Sequence, residues 1–303
     1  MDIITINEVG PRDGLQNIKQ ILTVEERFQL IRSLEETGIE QIEIGSFVSK
    51  SAVPAMQNTD ELINKLSNIN NYSVLIPNKK GFLKAKNLGV KEICTVLCVT
   101  DSMNLKNINQ TVNQTIQSLK EIFKESHESN IYSKCYVSVA FHCPYDGKVD
   151  ASYVEDIVGI LLDLQVQEIV IADTIGAANP KEVSSLISTL TNTYKGSKFS
   201  CHFHDTNALG LANVYASMEA GIDKFDSTYD KDDEVLPIMK SSNPFKKFYY
   251  KYINKIDPYS LEGVKQLLRK FEKNVILYKG DSNEILENFE HKNIDYIIID
   301  GGH

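Results

Sequence analysis

From its start to about residue 228 the chain alternates short β-branched runs with longer amphipathic stretches, and this rhythm constrains the fold more than any other feature. Strands are expected at Ile3–Val9, Gln41–Gly45, Tyr72–Ile76, Glu92–Leu97, Lys134–Ala140, Glu168–Ala172, Lys198–Phe203 and Lys224–Thr228. Helical periodicity falls between them, most clearly at Val24–Glu36, Gln110–Ser126, Ala151–Leu164 and Pro180–Tyr194. Pro180 suits a first helical turn, where its missing N–H has no intrahelical partner to lose. Gly38, Gly89 and Gly221 each follow a helical pattern and precede a strand, as helix C-terminal glycines do. Eight strands alternating with seven helices point to an α/β chain closed as a TIM-type (β/α)8 barrel, not to a sandwich. Such a barrel takes roughly 250 residues, which a chain of 303 supplies with a segment to spare.

The rhythm stops near residue 230. Residues 1–230 read as the barrel and 231–303 as a C-terminal appendage taking the place of the eighth helix. Tyr229–Tyr259 is rich in Lys, Asn, Pro and Tyr without a βα pattern. A helix is expected at Leu261–Glu272, a strand at Val275–Tyr278, a second helix at Asn283–Phe289 and an apolar strand at Ile294–Ile299, before Asp300–Gly301–Gly302–His303.

Composition narrows the function classes. A net charge of −9 disfavours nucleic acid as a partner. Residues 231–303 hold 12 Lys and Arg against 12 Asp and Glu, so the acidic excess belongs to the first 230 residues. There is no run of about 18 apolar residues, so no transmembrane helix is expected. MDIITINEVG lacks a basic and an apolar leader region. The expected location is therefore intracellular and cytoplasmic. Five scattered cysteines, Cys94, Cys98, Cys135, Cys143 and Cys201, argue against a disulfide framework and for buried, reduced thiols.

Three constellations sit where barrel strands end, the face on which such folds build their sites. His202–Phe203–His204 places two imidazoles two residues apart on the seventh strand, hence on one side of it, as half of a metal site. Satisfied core polar groups would give the same pattern. Gly10–Pro11–Arg12–Asp13–Gly14–Leu15–Gln16 ends the first strand, where Gly and Pro imply a tight turn holding a cation beside a carboxylate. An exposed ion pair of little energetic value is the alternative. Asp173, in Ala172–Asp173–Thr174–Ile175–Gly176, follows the apolar run of the sixth strand and serves either the site or the cap of the next helix. Glu43 and Glu8 lie within strands, where an unpaired carboxylate is costly. A charged partner such as Arg12 is expected for Glu43.

Together these pieces resemble the 3-hydroxy-3-methylglutaryl-CoA lyase family. The matching stretches are EVGPRDGLQN at 8–17, IEIGSFVS at 42–49, PNKKGF at 77–82, KNIN at 106–109, CPYDGK at 143–148, DTIGAANP at 173–180 and HFHDTNALGLAN at 202–213. They occur in family order and spacing over about residues 3–228. Homocitrate and isopropylmalate synthases share the barrel and the paired histidines, but GPRDGLQN and HFHDT are the lyase forms. The resemblance implies that Asp13, His202 and His204 hold Mg²⁺ or Mn²⁺. It implies catalytic roles for Arg12, Asp173, His202 and Glu43, with Glu43 orienting Arg12. Gln16, Ser46, Asn107, Tyr136 and Thr174 fall at substrate-binding positions. The implied reaction is cleavage of 3-hydroxy-3-methylglutaryl-CoA to acetoacetate and acetyl-CoA. The implied partners are a small acyl-CoA substrate and a second copy of the chain, with no nucleic acid or membrane.

The likeness breaks after the eighth strand. The family continues into a glycine-rich loop carrying an acid cysteine and an asparagine metal ligand. This chain instead reads Asp226–Ser227–Thr228–Tyr229–Asp230–Lys231–Asp232–Asp233, with no cysteine after Cys201. Cys201, next to His202 on its strand, is expected to face away from the barrel interior. His142 and Ala172 also replace smaller family residues. The tail LYKGDSNEILENF…IDYIIIDGGH is similar to the third and fourth strands of class I S-adenosylmethionine-dependent methyltransferases, without their cofactor loop. Two further expectations stay open: a non-catalytic barrel that binds metal and acyl-CoA, or a Claisen or aldol enzyme acting on a related acyl-CoA.

Overall fold

The computed structural model describes residues 4–17, 20–67 and 69–228. Within them eight strands run in chain order: β1 (Thr5–Glu8), β2 (Gln41–Ser46), β3 (Tyr72–Leu75), β4 (Glu92–Cys98), β5 (Tyr132–Ser138), β6 (Glu168–Asp173), β7 (Phe199–Phe203) and β8 (Lys224–Ser227). Each pairs with its sequence neighbour, and β1 pairs with β8 in parallel, so the sheet closes. The helices are α1 (Val24–Glu36), α2 (Thr59–Lys65), α3 (Lys79–Asn87), α4 (Asp101–Ile108), α5 (Val112–Glu128), α6 (Ala151–Asp163), α7 (Pro180–Thr193) and α8 (Gly210–Glu219). The barrel expectation holds. Two local ones need correction: α4 is an extra helix ahead of the one expected at Gln110–Ser126, and His142–Cys143 pairs with Gly147–Lys148 as a short antiparallel ribbon. The tail elements expected after residue 228 lie outside the described residues.

Strand alternation sorts the side chains into two layers. Ile42, Ile44, Val74, Ile93, Leu97, Cys135, Val137, Ile169, Ile171, Cys201 and Phe225 share one buried cluster with helix residues such as Ile31, Phe123, Val158 and Leu190. Cys201 thus faces the helices, as expected. The intervening residues line the lumen, and most are polar: Asn7, Glu43, Ser73, Lys134, Tyr136, Glu168, Ser200 and His202 are all buried. Cys94, Tyr136 and Val170, with Leu75 and Val96 packed against them, form a separate small apolar cluster. All five cysteines are free and buried.

Helix starts follow local chemistry. Thr23, Thr111 and Asn179 each build a capping box with the residue three positions on, and Pro180 occupies the first turn of α7. Gly38, Gly89 and Gly221 adopt positive φ at the helix-to-strand joints, as expected.

At the N-terminal mouth, charges are paired among themselves. Lys224 Nζ lies 2.8 Å from Glu168 Oε2, Ser200 Oγ donates to Glu168 Oε1 at 2.9 Å, and Lys134 is ion-paired with Glu92. A cavity of about 680 Å³ opens there, lined by Gln41, Glu92, Tyr132 and Lys224 among others. In this fold that end serves stability, whereas chemistry belongs to the opposite face.

Candidate active site

At the C-terminal end of β1 the chain makes one wide π turn, Gly10–Gly14, instead of the expected tight one. Asp13 N donates to Val9 O at 2.7 Å, which folds the turn back over the strand end. Its five residues are buried, so Arg12 and Asp13 are no exposed surface pair. Glu8 anchors the turn: its carboxylate accepts from Gly10 N at 2.7 Å and from Ser227 Oγ at 2.8 Å.

Arg12 is held from two sides. Nη1 donates to Asp13 Oδ1 at 2.6 Å, and Nε is ion-paired with Glu43 Oε1, the partner expected from the sequence. Burial works against this cation, but the charges of Glu43 and Asp13 outweigh it and raise the guanidinium pKa. Nη2 makes no protein hydrogen bond among the described residues. Gln16 Nε2 adds a second donor to Asp13 Oδ1 at 2.9 Å, leaving Oδ2 turned toward the histidines.

His202 and His204 both enter the lumen, as alternation requires. Their Nε2 atoms lie 3.1 Å apart, and Asp13 Oδ2 lies 3.7 Å from His202 Nε2 and 4.0 Å from His204 Nε2. Two imidazole nitrogens and a carboxylate oxygen converging so closely form a group that could hold a cation. The donor chemistry fits a divalent metal: the carboxylate suits Mg²⁺ and Mn²⁺ alike, whereas the two imidazole nitrogens favour a transition ion over Mg²⁺.

Behind the pair lies a residue that the sequence reasoning missed. Asp226 on β8 places Oδ2 3.0 Å from His202 Nδ1 and 2.8 Å from Tyr136 Oη, and Asn7 Nδ2 donates to its Oδ1 at 2.7 Å. Burial opposes ionisation of Asp226, but the hydrogen bond and charge of His202 lower its pKa below the usual carboxylate value. Burial alone would lower the His202 pKa, yet the same bond, with the charges of Asp226 and Asp13, raises it. Alternation along Lys224–Phe225–Asp226 was the available signal, since Phe225 faces the core and Asp226 must then face the lumen.

The remaining expected site residues divide. Tyr136 is in the lumen, its hydroxyl 3.0 Å from Glu43 Oε2 as well as beside Asp226. Ser46 ends β2, buried, and accepts from Val48 N at 3.2 Å. Thr174 Oγ1 accepts from Val139 N at 2.8 Å, tying the β5 and β6 loops together. Asn107 is exposed on α4 and reaches Cys98 Sγ at 3.8 Å. Asp173 is set apart from the Arg12–His202 network. It continues the outward row of Ile169 and Ile171, and its oxygens accept from Ala177 N at 3.1 Å and Ala178 N at 3.0 Å. Burial raises its pKa despite those two donors. Of the residues that depart from the family pattern, His142 pairs with Glu182 at 3.2 Å, and Ala172 is buried opposite His202 in the β6–β7 register.

Residues 3–229 match the family model described as HMGL-like. This chain belongs to the HMGL-like family. It is a carbon–carbon lyase of the hydroxymethylglutaryl-CoA lyase type. The hydroxymethylglutaryl-CoA lyase YngG of Bacillus subtilis is 33% identical over 227 residues, covering 74% of this chain and 76% of that protein. The hydroxymethylglutaryl-CoA lyase of Pseudomonas mevalonii is 34% identical over 230 residues, covering 75% and 76%. Among solved structures, an HMG-CoA lyase from Acinetobacter baumannii in complex with coenzyme A and 3-methylmalate superposes with a TM-score of 0.72 at 33% identity, covering 75% of each chain. Within this barrel the motif residues Arg12, Asp13, Glu43, His202 and His204 meet in the lumen, while Asp173 faces the loop ahead of α7. Among the described residues, no helix is long and apolar enough to cross a membrane.

Proposed function

We propose that this lyase cleaves 3-hydroxy-3-methylglutaryl-CoA to acetoacetate and acetyl-CoA, with Asp13, His202 and His204 holding Mg²⁺ or Mn²⁺. The observation that carries the reading is the convergence of those three donors beside a buried, doubly paired Arg12. A bound divalent ion would supply Lewis acidity, making the substrate's 3-hydroxyl easier to deprotonate. His202 or Asp173 takes that proton in this reading: His202 is the one in the lumen beside Asp13, and Asp173, which burial makes a stronger base than an ordinary carboxylate, would have to turn from Ala177 N and Ala178 N to do so. The bond between C2 and C3 then breaks: the C3 oxygen becomes the ketone of acetoacetate, the bond's electron pair moves onto the thioester carbonyl as an enolate, and the proton taken from the hydroxyl, or one from water, returns to C2 to give acetyl-CoA. Arg12, fixed by Glu43, offers Nη2 to that developing oxyanion, where one preorganised donor is worth about 10²–10³ in rate. Gln16, Ser46, Asn107, Tyr136 and Thr174 complete the substrate-binding set in this reading, Gln16 by steadying Asp13. The five free thiols suit a reducing, cytoplasmic location. A second copy of the chain is the expected partner, to be read from sedimentation of the purified protein.

One observation favours a second reading. The sequence after Thr228 lacks the cysteine and asparagine of the family's glycine-rich loop, and losing one proton-transfer group typically costs about 10²–10⁴-fold in rate. A barrel that binds metal and acyl-CoA without turning it over is then the alternative. Acetyl-CoA release from 3-hydroxy-3-methylglutaryl-CoA, measured with Mg²⁺ or Mn²⁺, separates the two. Turnover abolished by His204→Ala supports the lyase; metal binding without any acetyl-CoA release supports the second reading.

A further inference from the structure

His202 has two ring nitrogens and only one can face an ion, so the group on the other decides what the first one is. Nδ1 lies 3.0 Å from Asp226 Oδ2, and Asp226 is itself caught between donors, with Asn7 Nδ2 at 2.7 Å from Oδ1 and Tyr136 Oη at 2.8 Å from Oδ2. The Asp226 side chain is only 4% exposed. An ionised carboxylate accepts and cannot donate, so a neutral His202 beside it must carry its proton on Nδ1. Nε2 then presents a bare lone pair toward Asp13 Oδ2 and His204 Nε2. The brace is built from residues far apart in sequence: Asn7 on β1, Tyr136 on β5 and Asp226 on β8 meet only because the barrel closes.

We propose that Asp226, braced by Asn7 and Tyr136, is a positioning residue that fixes His202 as the Nδ1–H tautomer and so sets the affinity of the Asp13–His202–His204 group for a divalent cation. This deepens the metal-centre reading above and rests on it. The substitution Asp226→Asn has a defined consequence. If the asparagine oxygen takes the Oδ2 position, its NH₂ meets the NH₂ of Asn7. If it takes the Oδ1 position, the NH₂ points at His202 Nδ1 and forces the proton to Nε2, where it blocks the metal. Outer partners of metal-bound histidines typically contribute about 10–100-fold in metal affinity.

The test uses the whole chain stripped of metal. Mn²⁺ binding is measured by calorimetry, and ¹⁵N spectra of labelled histidine report the tautomer of the metal-free protein at alkaline pH. The expected result is Mn²⁺ binding weakened about 10–100-fold in Asp226→Asn, with the Nδ1–H signature of His202 lost. Asn7→Ala, which touches neither histidine nor ion, is expected to weaken Mn²⁺ binding by a smaller factor with the same spectral trend. If Asp226→Asn does not fold, Asn7→Ala decides alone. Mn²⁺ affinity within twofold of the unaltered protein, with the Nδ1–H signature retained, overturns the proposal. Failure of the unaltered protein to bind Mn²⁺ at all overturns the metal-centre reading itself, a different and recognisable result.

Discussion

Arg12 and Glu43 meet inside the barrel as a buried ion pair, the arginine on the turn after β1 and the glutamate in the middle of β2. Glu43 is fully enclosed, and Tyr136 Oη, whose single proton the shorter contact to Asp226 takes, lies 3.0 Å from its Oε2. The pair therefore does more than neutralise charge: it aims the guanidinium across the mouth that holds the two histidines. Removing one partner of such a pair leaves an uncompensated buried charge, at a cost of about 3–5 kcal/mol. Glu43→Ala should lower the unfolding free energy by about that much in urea titrations. Arg12→Gln should leave Mn²⁺ binding intact but cut acetyl-CoA release by about 10²–10³-fold. Unchanged turnover in Arg12→Gln would remove the arginine from the chemistry.

Asp173 can be tested for the two roles its position allows. As the proton acceptor, Asp173→Asn should lower turnover by about 10²–10⁴-fold while Mn²⁺ affinity holds. As a pure loop anchor, it should instead lower stability, since its hydrogen bonds to Ala177 and Ala178 are charge-assisted and worth about 1.5–3 kcal/mol each. Turnover and thermal unfolding measured on the same preparation separate these outcomes, and full activity with lowered stability would end the base assignment.

Gly45 lies where β2 shifts register against β3, between Glu43 and Ser46. A Cβ added there would stand 2.6 Å from Arg27 Nη2 and 2.8 Å from Thr59 Oγ1. Arg27 is buried and donates to the carbonyls of Ile44 and Gln57 at 3.0 Å each. It cannot withdraw without leaving those carbonyls short of a donor. Gly45→Ala should therefore destabilise by about 1–3 kcal/mol, as overpacking does, read as a lowered urea midpoint at unchanged slope. A neutral effect would mean that Arg27 repacks freely.

Metal binding should depend on pH through His202. A protonated imidazole has no lone pair to offer, so cation and proton compete for Nε2. Despite the opposing effect of burial, Asp226 and Asp13 raise the His202 pKa above its ordinary value of about 6.5. The sign follows: affinity for Mn²⁺ is full above the raised pKa and falls as pH drops through it. The decline should begin at higher pH than for an unperturbed histidine. Calorimetry between pH 6 and 9 checks this, and a flat profile would contradict it.

Much of this was legible in the sequence because it depends on neighbours along the chain. Alternating apolar runs with glycine stops gave the eight strands, and period-two spacing put His202 and His204 on one face. A carboxylate inside β2 demanded a cation, which Arg12 supplies. Local order could not reveal what lies across the lumen. Asp226 looked like part of a divergent stretch until closure of the barrel brought it against His202, with Asn7 and Tyr136 on either side. Asp173 ended an apolar strand as a site residue should, yet strand alternation turned its carboxylate out of the lumen and toward the loop ahead of α7. The turn after β1 was read as tight from its Gly and Pro, and folded wider because Glu8 and Ser227 hold its start. The sequence by itself determined which chemistry the strands carry and which end of the barrel carries it. Which groups actually touch was decided only by the tertiary structure, because a closed parallel sheet joins residues through hydrogen bonds that no sequence spacing encodes.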